Sequence, residues 1–159
     1  MDPLLRLLEE NALATHETLA AQLATTPADV KHRIKQLEHD RVILAYKAIV
    51  DDERAKRNVV RAVIEVRITP EREGGFDRIA HRIAQHREVQ TCYLMSGGYD
   101  LLVILEGNSL QDIATFIAEK LSTIKGVIST ATRFRLKTYK ENGVSLTREV
   151  KAERLAVTP

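Results

Sequence analysis

From its first residues the chain places apolar positions at helical spacing. Leu4, Leu7 and Leu8 fall at i, i+3 and i+4 on one helical face, and Asn11 supplies a terminator. Thr15 can accept the first amides of a second helix, Glu17 suits its positive end, and Leu19, Ala20 and Leu23 form an apolar stripe running to about Ala24. A third helix opens at Thr26-Pro27-Ala28-Asp29, with threonine as N-cap, proline in the first helical position and Asp29 placed to reach back as in a capping box. Val30, Ile34 and Leu37 follow as its buried edge. Residues 42–50 are rich in apolar and β-branched types and read as a strand leaving this unit, the wing of a helical bundle. The almost wholly polar DDERAKRN of residues 51–58 reads as a linker.

From residue 59 the period changes to two. Val60, Ala62, Ile64, Val66 and Ile68 face one way and Arg61, Glu65 and Arg67 the other, a half-buried strand broken by Pro70 and Gly74-Gly75. Phe76, Ile79, Ala80, Ile83 and Ala84 return to helical spacing. A strand over residues 89–96, a Gly97-Gly98 turn and the apolar run 101–105 predict a hairpin. Leu110, Ile113, Ala114, Ile117, Leu121 and Ile124 trace one more amphipathic helix that Gly126 ends. Residues 127–137 resume alternation, with Phe134 and Leu136 opposite Arg133, Arg135 and Lys137.

The order β-α-β-β-α-β is the ferredoxin-like split motif, an antiparallel sheet with both helices on one face. The fold class is therefore α+β, a winged helix-turn-helix followed by a ferredoxin-like sandwich. Its expected division is a helical domain over 1–50, a linker over 51–58, a sheet domain over 59–140 and a tail over 141–159, in which Val144, Leu146 and Val150 are candidate strand contacts. The second face of such a sheet needs a cover, with Val63, Val103 and Val127 as candidates to point there, and dimerisation through it is the simplest solution.

Composition narrows the classes. At 159 residues and 44% hydrophobic content the chain can bury a core. No run approaches the roughly 20 apolar residues of a membrane span, and MDPLLRLLEE lacks the basic start and cleavage site of a secretory signal, so the expected location is cytoplasmic. The single cysteine, Cys92, sits among apolar neighbours and reads as a buried thiol. No histidine pair, nucleophile motif or phosphate-cradling loop points to a metal, a cofactor or catalysis. The net charge of +2 announces no nucleic-acid partner, and residues 1–50 carry six basic residues against seven acidic ones.

Any case for DNA is therefore local. Only Thr25 and Thr26 join the second and third helices, the tight connection of a helix-turn-helix whose second member enters the major groove. With Val30, Ile34 and Leu37 turned inward, a turn of about 100° per residue puts Ala28, His32 and Lys35 outward, flanked by Asp29, Lys31 and Gln36. Lys31, Arg33 and Lys35 outnumber Asp29, so this helix can meet phosphate, and Thr26 at its N-terminus joins the candidate contacts. The plain alternative is a solvated helix face in a small bundle. Asp29 reads first as a capping group, and His32 either as a base reader or as an exposed imidazole.

The chain resembles the Lrp/AsnC, or feast/famine, family over residues 2–140. The resemblance rests on LAAQLATTPADVKHRIKQLEHDRVI (19–43), VQTCYLMSGGYDLLVIL (89–105) with its Gly-x-Tyr/Phe-Asp turn, and IKGVISTATRFRL (124–136). One departure is DDERAKRNVV, which stands where the family has a Gly-containing loop. The resemblance implies a homodimeric transcriptional regulator, with tetramers and octamers among the family's assemblies, that binds double-stranded DNA and an amino-acid effector. By the same carry-over Gly97, Gly98, Tyr99 and Asp100 line the effector site, with Thr132, Arg133 and Phe134 contributing. Glycine lets backbone amides approach a carboxylate, and Asp100 can accept hydrogen bonds from an ammonium group. Gly-Gly-Tyr-Asp is equally an ordinary hairpin turn. Two other readings stay open, a siroheme decarboxylase-like enzyme on the same frame and an amino-acid-binding module without DNA binding.

Overall fold

The first helix, α1 (Pro3–Glu10), begins where Asp2 accepts a hydrogen bond from Leu4 N at 2.9 Å, and it ends at Asn11, whose N–H returns to Leu7 O. The structure is a computed structural model and describes residues 2–70 and 75–146; Gly74 and Val150, with the tail beyond 146, lie outside the described residues. The chain divides into two compact units, Met1–Ala48 and Ile49–Pro159.

In the first unit, α2 (His16–Leu23) is capped by the Thr15 side chain and stops at Ala24, which takes the left-handed conformation at φ 52°. Helix α3 (Pro27–His39) follows at once, capped by Thr26, whose Oγ1 accepts from Asp29 N at 3.2 Å. The expected reciprocal box does not close: Asp29 Oδ2 accepts a hydrogen bond from the Thr25 hydroxyl at 2.9 Å instead of one from a backbone amide. Leu4, Leu8, Leu19, Ala20 and Val30 are buried together, and Leu7, Leu23, Ile34, Leu37 and Ile43 pack around them. Burying one such Leu or Val side chain is worth about 1.5–3 kcal/mol.

The strand expected over 42–50 does not form. Val42 N and Ile43 N both donate to Leu37 O, closing the end of α3, and residues 44–50 carry no regular structure. Among the described residues of this unit there is no second strand to pair with them, so no wing is built, and Val42, Leu44 and Tyr46 stay exposed.

The second unit is a four-stranded antiparallel sheet in the order β2-β3-β1-β4, formed by β1 (Val60–Ile68), β2 (Val89–Leu94), β3 (Leu101–Gly107) and β4 (Val127–Phe134). The alternation of β1 holds: Ala62, Ile64, Val66 and Ile68 are buried. Cross-strand pairing sets Ala62 opposite Leu105, Ile64 opposite Val103 and Val66 opposite Leu101. Against this face pack Ile79 and Ile83 of α4 (Asp77–Ala84), and Ile113 and Phe116 of α5 (Leu110–Phe116). Val103 and Val127 belong to this packed face, so only Val63 of the three valines expected on the open face lies there, with Leu102 and Ile104 beside it. Helix α5 passes into a π-helical turn at Ile117–Leu121. Its first residue, Leu110, precedes the packed turns and is 58% exposed, while Phe116, absent from the expected stripe, is buried.

Strand β4 ends at Phe134; beyond it Leu136 is 95% exposed and makes no part of the core. A short hairpin, β5 (Lys140–Glu141) with β6 (Val144–Ser145), holds Val144, and Leu146 N donates to Tyr139 O. Residues 51–58 are tied down by charge: Asp52 pairs with Arg61 and Arg57, and Glu106 pairs with the same two arginines.

Candidate nucleic-acid interface and effector turn

Helix α3 presents one polar face. Its inward positions are fixed by Val30, which is fully buried, and by the partly buried Ile34 and Leu37. Seven of the eight residues singled out from sequence, Thr26, Ala28, Asp29, Lys31, His32, Lys35 and Gln36, are exposed. Among them Thr26 and Asp29 already serve the helix start, the one as its cap and the other through Thr25. Among the described residues, the side chains of Lys31, His32, Lys35 and Gln36 form no hydrogen bond or ion pair that ties them to the unit.

Arg33 is the exception. It is half-buried, and its Nη2 donates to Asp2 Oδ1 at 2.8 Å. That same oxygen accepts from Leu4 N, so one carboxylate caps α1 and holds α3. The Leu4 amide above all, and Arg33 in addition, keep the Asp2 carboxyl below its ordinary pKa, against the opposing effect of burial. Helical angles contain the signal for this. Arg33 lies about 60° around the helix from Val30, whereas His32 lies about 160° from it. The pattern of the sequence does not single out Asp2, because no local spacing joins it to a residue so distant in the chain.

In the second unit the loop between β2 and β3 carries Gly97 at φ 129°, a backbone conformation that favours glycine. Met95 N donates to Asp100 O at 2.8 Å, closing the loop. Three further hydrogen bonds clamp it to the end of β1. Asp100 N donates to Val66 O at 3.0 Å, Ile68 N donates to Asp100 Oδ2 at 2.8 Å, and Arg67 Nε donates to Gly98 O at 2.8 Å. Gly97 and Gly98 are exposed, and Tyr99 and Asp100 half-buried. Asp100 thus has one oxygen committed to the fold and the other without a hydrogen-bond partner among the described residues. Arg67 is a member of this cluster that sequence reasoning placed only as a strand's polar position.

The three candidates on β4 separate. Arg133 stands on the open face opposite Val63 and forms an ion pair with Glu65. Glu65, by hydrogen bond and charge, raises the Arg133 pKa further, with Tyr99 adding a smaller effect. Thr132 and Phe134 pair with Ile64 and Ala62 and take the opposite face of this edge strand. Phe134 is level with Ala62, four residues along β1 from the turn's contact at Val66, about 13 Å at 3.3 Å per residue. Within one chain the structure does not bring Phe134 to the turn.

Among the described residues no group of three or more histidine, cysteine, aspartate or glutamate side chains could hold a metal ion, and no helix is long and apolar enough to cross a membrane. Cys92 lies on the packed face, with burial pushing its thiol pKa up.

Comparison with known proteins adds identity to this geometry. The model of the Lrp/AsnC ligand binding domain matches residues 61–145. Over 157 residues the chain is 41% identical to the uncharacterized HTH-type transcriptional regulator YugG of Bacillus subtilis (strain 168), covering 98% of this chain and 95% of that protein. It is 29% identical to the HTH-type transcriptional regulator LysM of Saccharolobus solfataricus, over 86% of this chain and 91% of that one. Among solved structures, a transcriptional regulator from Neisseria meningitidis in complex with L-Met aligns with a TM-score of 0.69 at 26% identity, covering 91% of this chain and 92% of that one.

Proposed function

The chain belongs to the Lrp/AsnC family of transcriptional regulators, and on that premise we propose that it binds an operator through α3 and an amino-acid effector at the turn formed by residues 97–100. The observation that carries the reading is the exposed row of Ala28, Lys31, His32, Lys35 and Gln36 on a helix that starts shortly after α2 ends. This is the geometry in which the N-terminal part of a recognition helix meets base edges and phosphates. Lys31 and Lys35 supply phosphate contacts, and Gln36 and His32 can reach base edges.

The effector reading rests on the turn's chemistry. Asp100 keeps one oxygen for an ammonium group, the backbone of Gly97 and Gly98 is open to a carboxylate, and Arg133 with Glu65 stands on the adjoining sheet face. The L-Met complex of the Neisseria meningitidis relative supports an amino acid as the ligand class. We assign 1–50 to DNA binding, 51–58 to the connection, and 59–140 to effector binding and dimerisation through the open sheet face, in a protein of the cytoplasm acting as a regulator rather than an enzyme.

The test is fluorescence anisotropy of the full chain on labelled duplex from its own upstream region, titrated over potassium chloride. Affinity falling steeply and linearly in log–log form, and shifting on addition of an amino acid, is the expected result. Binding that ignores salt, or none at all, would remove the DNA role.

A further inference from the structure

The ion pair between Arg33 and Asp2 joins the helix read as the DNA reader to the N-terminus of the first helix of the unit. Arg33 carries a charge type that suits phosphate, yet it faces inward toward α1, and its guanidinium is spent on a carboxylate that is itself anchored by the Leu4 amide. Only a third of either side chain remains exposed, 35% for Arg33 and 30% for Asp2. The other contacts that orient α3 are the apolar packing of the buried Val30 and the partly buried Ile34 and Leu37, and hydrogen bonds at its two ends, Thr25 Oγ1 donating to Asp29 Oδ2 at the start and Tyr46 Oη donating to Glu38 Oε1 at 3.1 Å near the finish. Apolar packing of this kind permits a helix to roll by small angles, because it is not directional. A charge-assisted hydrogen bond at one flank of the helix restrains that roll, and the roll decides which of His32, Lys35 and Gln36 meet base edges.

We propose that Arg33 and Asp2 form a positioning pair that sets the rotation of α3 for sequence-specific recognition, and that Arg33 makes no phosphate contact. The proposal rests on the reading of α3 as the DNA-binding helix. It separates two quantities that phosphate contacts move together. A positioning pair governs affinity for the operator over random duplex, while a phosphate contact contributes to both and adds to the salt slope.

The test uses the full-length protein with the substitutions Asp2→Asn, Arg33→Gln, the two combined, and Arg33→Lys. Asparagine is as good an N-cap as aspartate, so Asp2→Asn keeps α1 closed while removing the charge that holds Arg33. Circular dichroism melts select a temperature at which every variant is fully folded. There, anisotropy on operator and on random duplex is measured across a salt series.

The expected result is that Asp2→Asn and Arg33→Gln each weaken operator binding about two- to fivefold, the range of a partly exposed ion pair. The double variant is no weaker than the worse single one, Arg33→Lys recovers part of the loss, and both random-duplex affinity and salt slope stay at wild-type values. Operator affinity unchanged or raised by Asp2→Asn overturns the proposal, since freeing Arg33 and removing an anion near DNA can only help a phosphate contact. A salt slope reduced by about one in Arg33→Gln, with random duplex weakened equally, overturns it as well. If the wild-type protein itself shows no salt-dependent binding, the reading of α3 falls and the proposal falls with it. If wild type binds and the variants behave in either contrary way, the proposal alone falls.

Discussion

At the residue scale Gly126 shows how one backbone angle fixes the approach of a strand to its helix layer. Its φ is 98°, and a Cβ placed there would meet Ile79 Cδ1 at 2.5 Å. Ile79 is buried, so it has little room to withdraw. Gly126→Ala therefore combines backbone strain with overpacking and should destabilise the protein by about 1–3 kcal/mol in urea unfolding, with Ile79→Val in the same chain recovering part of the loss. Unchanged stability would show that the β4 entry relaxes freely. Asp100 divides in the same way between fold and ligand. Asp100→Asn keeps the oxygen that accepts from Ile68 N and removes the charge that would hold an ammonium group, whereas Asp100→Ala removes both. Loss of the effector-induced shift in DNA affinity should appear in both variants, and a lowered melting temperature only in Asp100→Ala. An effector response retained in Asp100→Asn would place the ammonium partner elsewhere.

At the element scale, the junction of α2 and α3 depends on Ala24 in the left-handed region, a conformation that costs a residue with a Cβ about 1–2 kcal/mol. Ala24→Gly relieves that cost and loosens the unfolded chain, and the balance should stabilise the first unit by about 0.5–1 kcal/mol, read as a raised melting temperature. A fall would mean that Ala24 packs in a way its angle does not reveal. Most elements are legible from period alone, because the helices and strands each bury one stripe: Val30 with Ile34 and Leu37, or Ala62 with Ile64 and Val66. Where period misleads, a partner is missing or an end effect intervenes. Residues 44–48 have strand composition and, among the described residues of their unit, no strand to pair with. Leu110 satisfies the helical spacing but stands at the first turn, and the change to π-helical winding after Phe116 shifts which residues turn inward. Of the candidate site, the outward face of α3 follows from angle. Arg33 is the residue that charge type assigns to DNA and angle turns toward α1, where it is half-buried and paired with Asp2. The joining of Arg133 to Glu65 depends on a strand register that no local pattern encodes.

At the scale of the whole molecule the charge distribution sets a condition on how DNA can be held. Residues 1–50 carry one more acidic than basic residue, and the structure withdraws Arg33 from the few cations of α3, leaving Lys31 and Lys35 as its exposed lysines. A single unit of this kind gains little from counterion release, so useful affinity requires two or more units on one site, each raising the effective concentration of the other. The proposed dimerisation through the open sheet face would supply the means, with the half-buried Val63, Leu102 and Ile104 side by side on β1 and β3 and the Glu65–Arg133 pair at its margin. Ile104→Lys puts a charge in the middle of that face and leaves the residues of α3, the turn and the packed core unchanged. It should shift the protein to monomer in sedimentation velocity, keep the helical and sheet content in circular dichroism, and weaken operator binding by at least about 100-fold. The salt slope should fall to about half, since a monomer releases the counterions of one recognition helix where a dimer releases those of two. A monomer that binds with the wild-type slope and affinity would show that one helix suffices, and a dimer that persists would move the assembly to another surface.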